Sequence, residues 1–403
     1  MKKGWLTRRL CEVTTKIGSG ATPRGGGESY KAEGISLIRS LNVYDGGFRE
    51  AKLARIDDEQ AADLSNVVVE SHDVLLNITG ASIARCCRVP ADFLPARVNQ
   101  HVSIIRPIKE KLDPDFLHYL LISNIYKGRL LHTGEEGGST RQAITKAQLQ
   151  EFVIEFPDSL PEQHRIVAIL NKAFDGIAKA RTIAEKNLQN ARTLFESHLQ
   201  SKLAKQPGWE GKTLRQVSLD FGRGKSKHRP RNDPKLYGGP YPFIQTGDVR
   251  GCEHLITEFN QTYSEAGLAQ SKLWPKGTLC ITIAANIAET GILGFDSCFP
   301  DSVIGVVVDP KQTSNSFLEY LLQSVKASLK AKGKGSAQDN INLATFENEP
   351  FYFPDLTVQK QIVGQLSDLN AEVQRLESIY QQKLDALDEL KQSLLHQAFS
   401  GNL

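Results

Sequence analysis

Leu160-Pro161-Glu162-Gln163-His164-Arg165-Ile166-Val167 returns 196 positions later (356 minus 160) as Leu356-Thr357-Val358-Gln359-Lys360-Gln361-Ile362-Val363. Each copy follows a Phe-Pro pair, Phe156-Pro157 or Phe353-Pro354, and each opens a long stretch of helical character. A repeat this long exceeds the ~20–50-residue period of a solenoid, so it implies one two-part module duplicated in tandem. Two similar heads in one chain imply a target with two parts.

The duplication extends outward from these octapeptides. Trp5, Leu10 and Val13 recur as Trp209, Leu214 and Val217 at a shift of 204. The strand-like run Val74-Leu75-Leu76-Asn77-Ile78-Thr79 aligns at the same shift with Thr278-Leu279-Cys280-Ile281-Thr282-Ile283. The run 115–121 recurs at 316–322, and Gly138-Ser139 recurs as Gly335-Ser336. Between these anchors the halves diverge, as surface connections do. A similar frame with dissimilar loops implies one scaffold carrying two specificities. Within each head, short β-branched runs alternate with Gly-rich turns and one helix follows, near 114–121 or 317–329. The heads are therefore expected to be mixed α/β (α+β).

After each head the pattern changes. Leu366, Leu369, Val373, Leu376, Tyr380, Lys383, Leu387, Leu390 and Leu394 step by three and four, an a/d heptad seam. Shifted back by 196, the same register gives Leu170, Ala173, Ile177, Ala180, Ala184, Asn187, Ala191, Leu194 and His198. Alanines in one helix face large residues in the other, so the two are expected to interdigitate as an antiparallel coiled coil. The expected architecture is two pseudo-symmetric globular domains separated by two long helices, a nearly circular dumbbell. Its parts are a head at 1–158, a helix at 159–206, a second head at 207–355 and a second helix at 356–403.

Composition narrows the class. The chain has 403 residues, 40% hydrophobic and 24% charged, with a net charge of +3, as in an ordinary globular protein. No run of ~18 apolar residues implies a membrane span, and no apolar signal core follows Met1, so a cytoplasmic protein is expected. The six cysteines form no CxxC pair and read as inert fillers. Gly224-Lys225-Ser226 resembles the end of a P-loop, but the required upstream glycine position holds Leu219. Nine histidines lack paired-ligand spacing, so neither a catalytic set nor a metal site is expected. A chain of this size without such a set points to a binder or scaffold.

What clusters instead is basic, polar and rich in glycine. The loop 16–27 supplies Lys16, Ser19, Thr22 and Arg24; its counterpart supplies Arg223, Lys225, Ser226, Lys227 and Arg229. Glycines let backbone N–H groups approach phosphate, and Lys or Arg displaces its counterions. A second matched pair is Ser139, Thr140, Arg141 and Gln142 against Lys334, Ser336 and Gln338. Arginine reads guanine and glutamine reads adenine in the major groove. Arg39, Ser40 and Asn42, matched by Gln245 and Thr246 (with Asp248), follow a strand and are further candidates. Asn99-Gln100-His101 is open to a binding role or to that of ordinary strand-edge polars.

With its repeated Leu-Pro-Glu-Gln and Gln-Lys-Gln-Ile-Val helix starts, its heads opening on Trp5 and Trp209, and Gly20-Ala21-Thr22-Pro23, the chain resembles the specificity subunits of type I restriction–modification systems. The resemblance spans the whole chain, although His228-Arg229-Pro230 replaces the Thr-Pro in the second head. It implies a non-catalytic, DNA-binding subunit whose two target-recognition domains each read one half of a gapped, asymmetric site. It further implies double-stranded DNA and two adenine methyltransferase (M) subunits as partners, with restriction (R) subunits joining through them. S-adenosylmethionine, ATP and Mg would then be bound by those partners, and no cofactor by this chain. The helices would act as a ruler between half-sites. Two readings from other classes remain open here: a two-headed protein–protein adaptor, and the specificity subunit of another bipartite-site restriction class.

Overall fold

The computed structural model describes residues 4–135, 143–228, 230–284, 287–333 and 343–403. The chain forms two compact units, one of Met1–Glu185 with Gln382–Leu403, the other of Lys186–Gln381. Each contains one mixed α/β head and half of each long helix.

In unit 1 the central sheet is antiparallel, in the order Thr14–Ser19, Val102–Pro107, Val74–Asn77, Cys86–Arg88. A second four-stranded sheet lies around Ile35–Ile38 and Ala96–Val98. In unit 2, five strands take the order Ser218–Arg223, Val303–Val308, Leu279–Thr282, Thr290–Leu293, Leu255–Ile256. Helices Pro114–Ile122 and Asn315–Gly333 contribute Phe116, Leu120 and Leu121 or Phe317, Leu321 and Leu322 to the two main cores. Each head closes on a two-stranded ribbon at the Phe-Pro pair, Trp5–Arg9 with Val153–Pro157 and Glu210–Lys212 with Phe351–Phe353.

Strand register corrects the alignment of the repeat. Asn77 lies opposite Val102 and Thr282 opposite Val303, so Val74–Asn77 corresponds to Leu279–Thr282 at a shift of 205, not 204. Burial agrees: Val74, Leu76 and Ile78 enter one core as Leu279, Ile281 and Ile283 do, while Leu75 and Cys280 face another. A one-residue slip moves every side chain to the opposite face. Strands buried on both faces show no polar alternation, so the sequence alone does not fix their phase.

The long helices run Leu160–Leu203 and Leu356–Ser400. Pro161 sits in the first turn, where a missing N–H costs nothing. The Asp355 carboxylate accepts from Val358 N–H at 3.0 Å at the start of the second helix. Gly401 (φ 82°) ends it, with Asn402 N–H donating to Gln397 C=O at 2.9 Å in a Schellman closure. Within unit 1, Arg181 pairs with Asp388; within unit 2, Arg192 pairs with Glu377. Within unit 1 Arg165 also donates to Leu403 C=O, so sixteen residues forward on the first helix (181 − 165) meet fifteen back on the last segment (403 − 388), and the pairing there is antiparallel.

The heptad seam is only partly realised. Leu170, Leu366 and Val373 are buried, but Leu194 is 57% exposed and Leu390 is 47% exposed. Ala180 and Lys383 are also exposed, while Ile177, Leu369, Leu376, Leu387 and Leu394 are half-buried. The buried stripe of the second helix is Ile362, Val373, Leu384 and Leu395, spaced by eleven. A straight helix drifts ~20° per heptad against a 3.5-residue repeat, whereas eleven residues make three turns at 3.67 each. Over 45 residues that drift carries a strict heptad off the interface.

Candidate nucleic-acid interface

The repeated glutamines of the opening motif fasten helix to head. Gln163 is fully buried; its Oε1 accepts from Asp113 N–H at 2.8 Å, and its Nε2 donates to the carbonyls of Lys111 (2.9 Å) and Pro157 (2.8 Å). Gln359, 196 positions on, donates to the carbonyls of Gln312 (2.9 Å) and Pro354 (3.0 Å) and accepts from Thr313 Oγ1 (2.9 Å). Each side chain satisfies backbone groups from its own head and from the turn before its own helix. This anchoring sets the frame from which the loops project.

In unit 1 the loops that follow or precede the strands converge. Gly20 N–H donates to Asn99 C=O at 3.1 Å, and a Cβ at Gly20 would lie 1.7 Å from Val98 O, so only glycine fits this approach. Gly224, 204 positions on, has the same constraint, at 2.2 Å from Phe299 O. Beyond Gly20, Thr22 Oγ1 donates to Gln100 Oε1 at 2.5 Å, and His101 Nδ1 meets Thr79 Oγ1 at 2.7 Å. Asn77 Nδ2 holds the Ser40 carbonyl at 2.9 Å. The result is an open depression of about 410 Å³ lined by Ser40, Tyr44, Thr79, Ser82, Arg85 and His101. Arg49 and Arg85 lie on the Tyr44 ring, 3.6 and 4.5 Å from its centroid.

Several expected residues serve other ends. Asn42 is fully buried; its Oδ1 accepts from Arg39 N–H at 3.1 Å and its Nδ2 donates to Arg49 C=O at 2.8 Å, so it shapes the turn and is unavailable to a base. The Arg39 guanidinium donates to Lys52 C=O at 2.5 Å and lies over the Tyr30 ring, held in the fold. Lys16 and Ser19 line a separate groove with Thr14, Asn66, Lys146 and Gln150. Arg24 is exposed on the loop after Gly20.

In unit 2, Gln245 N–H donates to Asp248 Oδ2 at 2.7 Å, the counterpart of the Arg39–Asn42 turn (245 − 39 and 248 − 42 are both 206). The exposed Gln245 side chain donates to Gln261 Oε1 at 2.7 Å, and Thr246 opens the short helix Thr246–Gly251. The basic loop divides in two. Arg223 donates to Asp301 C=O at 2.6 Å and Arg231 bonds the Asp301 carboxylate, whereas Ser226 is buried. Lys225 and Lys227 project into solvent from a backbone fixed by Lys225 N–H to Phe299 C=O (3.1 Å) and Ser271 Oγ to Lys225 C=O (2.8 Å). Two exposed ammonium groups on a fixed glycine-bearing loop suit a phosphate backbone. Ser139, Thr140, Arg141, Gln142, Arg229, Lys334, Ser336 and Gln338 lie outside the described residues.

Sequence reasoning did not single out Tyr44, Arg49 or Arg85. The signal was present: with strands in phase, Asn77 N–H bonds Arg85 C=O and Thr282 N–H bonds Glu289 C=O, so positions 85 and 289 correspond and carry opposite charge. The cysteines read as fillers sit accordingly: Cys86, Cys87 and Cys280 are buried, and burial pushes the Cys87 thiol up to about 12 and that of Cys252 to about 11. A thiol held in its protonated form is a poor nucleophile. Among the described residues no cluster of His, Cys, Asp and Glu could hold a metal ion, and no helix is long and apolar enough to cross a membrane.

Known proteins share this architecture. The family model for the type I restriction modification DNA specificity domain matches residues 2–186 and again 207–384. A putative type I restriction enzyme MjaX specificity subunit of Methanocaldococcus jannaschii is 21% identical, over 99% of this chain and 93% of its own. Among solved structures, a chain from work on complex assembly and conformational transition of the type I R-M system aligns with a TM-score of 0.79. That match has 19% identity and covers 100% of this chain and 99% of the other. The HsdS subunit of Thermoanaerobacter tengcongensis aligns with a TM-score of 0.61 and 20% identity, over 100% and 98%.

Proposed function

This chain belongs to the type I restriction–modification DNA specificity family, and from that premise we propose that each of its units reads one half of a gapped, asymmetric double-stranded DNA target. One observation carries the proposal. Two frames matched in the close approach of Gly20 to Val98 O and of Gly224 to Phe299 O, and in the backbone hydrogen bonds of Asn77 and Thr282, project loops of unlike chemistry. A duplicated frame with unlike tips is what a target with unlike halves requires.

In this reading the recognition domains are 1–158 and 207–355, and the helical segments 159–206 and 356–403 are the frame they share. Lys225 and Lys227 contact phosphates, Gln245 and Thr246 face base edges, and the depression at Ser40 and His101 receives the other half-site. The subunit contributes no catalysis. Two methyltransferase subunits bind it and carry S-adenosylmethionine; restriction subunits joining through them carry ATP and Mg; and the assembly works in the cytoplasm. Single-molecule sequencing of methylated adenines, in a host with and without this gene, tests the proposal. A gapped motif that vanishes on deletion is expected. A methylation pattern indifferent to the deletion would overturn it.

A further inference from the structure

We propose that Arg85 is a specificity-determining residue of unit 1 that reads a guanine, with Tyr44 holding its guanidinium in place. This rests on the DNA-reading function proposed above and assigns one base class to one side chain.

The argument begins with charge. Arg49 and Arg85 sit on one tyrosine ring, and among the described residues neither forms an ion pair. Each cation gains from the ring's negative face, but two neighbouring cations repel, and the nearby Asp45 is engaged by Lys127 and Cys86 N–H. Such a pair favours an electronegative partner entering the depression. Next comes aim. Arg85 follows Ala84, held at φ 64°, a left-handed backbone that alanine rarely adopts. Ala84 N–H donates to Asn77 C=O at 2.9 Å and Asn77 N–H to Arg85 C=O at 2.8 Å, so the strand end fixes where the side chain departs. The guanidinium carbon lies 4.5 Å from the Tyr44 centroid, which limits how far the fork can swing.

The surroundings favour a base edge over a phosphate. Arg85 opens onto Ser40, Thr79, Ser82 and His101, four hydrogen-bonding groups in a depression, rather than onto a row of lysines along a ridge. A planar fork held by an aromatic ring matches the O6 and N7 acceptors of guanine with two parallel hydrogen bonds. Unit 2 has the same left-handed alanine, Ala288 at φ 59°, but the next residue is Glu289, bound by Lys326 (2.5 Å) and Lys330 (3.1 Å). The equivalent position there is neutralised within the fold, so the guanine-reading device belongs to unit 1 alone.

The test compares adenine-methylation motifs of the complete complex carrying wild-type chain, Arg85→Ala or Arg85→Lys. Both variants are expected to relax one guanine position in one half-site, with discrimination falling on the order of 10- to 100-fold. The other half-site should be unchanged, which also reports that the chain is folded. If Arg85→Lys keeps the wild-type motif, or if Arg85→Ala weakens all sequences alike and lowers the salt slope by ~0.9, Arg85 is a phosphate contact and the inference fails. Loss of all methylation in both variants would equally overturn it. A wild-type complex with no sequence-specific motif would instead sink the underlying function and this inference with it.

Discussion

At residue 85 unit 1 carries an arginine lying over Tyr44; at residue 289 unit 2 carries a glutamate gripped by Lys326 and Lys330. Where each turn leaves its strand nothing has changed, since Asn77 and Thr282 hold the two turns with the same backbone hydrogen bonds. The contrast separates two kinds of constraint. Close packing and backbone hydrogen bonding tolerate little change, so the glycines, the left-handed alanines and the buried glutamines recur. Charge at a solvent-facing loop tip is bound by neither, so the tips can change sign without disturbing the frame beneath them.

The sharpest way to break this comparison is to attack the frame in both units at once. Leu395 in unit 1 and Ile362 in unit 2 are buried on the helix stripe, and alanine at either is expected to cost ~2–5 kcal/mol in thermal or denaturant unfolding. Leu390→Ala and Leu194→Ala, on exposed positions, should stay within ~0.5 kcal/mol. Equal losses at all four would restore the heptad seam and discard the eleven-residue stripe. A smaller, paired effect is expected at the glutamine anchors. Gln163→Ala and Gln359→Ala each leave buried backbone groups without partners, a cost of ~1–3 kcal/mol. Each donates to two backbone carbonyls, so the two losses should be similar, with Gln163 the costlier because it also accepts from the backbone N–H of Asp113; an inert Gln359→Ala would show that only unit 1 depends on its anchor.

Much of this frame was legible in the sequence because it was written twice. The repeated Gln163 and Gln359 marked the helix starts, and Trp5 and Trp209 marked the heads. Their physical role was not legible, because the groups they satisfy, such as Asp113 and Gln312, lie about 50 residues away in the chain. The strand phase was missed for a different reason: a run such as Val74–Asn77, buried on both faces, looks the same when slipped by one residue. Arg85 and Glu289 stand 204 apart (289 − 85), the shift already read from the sequence; what the sequence does not show is which side chain of that turn meets Tyr44. The candidate loops were found from composition, yet composition cannot tell an exposed Lys227 from a buried Ser226 or a turn-forming Asn42. Those distinctions arise only once the loop's own backbone hydrogen bonds compete for its side chains.

Loop-tip charge offers a milder test. Removing Lys225 and Lys227 in unit 2 is expected to lower affinity for every DNA sequence alike and to flatten the log–log salt dependence by ~0.9 per lost contact. The methylated motif should keep both halves. A titration with an unchanged slope would remove these lysines from the interface, and a motif altered in one half-site would make them base readers.

The finest contrast is in how the units answer pH. At matching positions (319 − 118 = 201), unit 1 has His118 and unit 2 has Glu319. Burial pushes His118 down to about 4, its ring set against the Cys86 carbonyl at 3.3 Å. Its neutral form therefore suits the fold: its contribution is complete above its ordinary value near 6.5 and is lost as pH falls from there toward 4. Glu319 instead bonds His254 Nδ1 at 2.9 Å and holds that imidazole above its ordinary range, while burial raises Glu319 itself. Both of those shifts have the opposite sign, so each contribution is lost as pH rises, that of Glu319 from the ordinary carboxylate range and that of His254 from near 6.5, and only the imidazole acts on the alkaline side. The unfolding temperature of the whole chain should thus decline on both sides of neutrality, by a few degrees from these groups. His118→Leu is expected to flatten the acid limb and leave the alkaline one, and His254→Phe to flatten the alkaline limb. If either substitution moved the wrong limb, the two units would share one pH response despite their different side chains, and the exchange of histidine for glutamate at this position would be neutral packing.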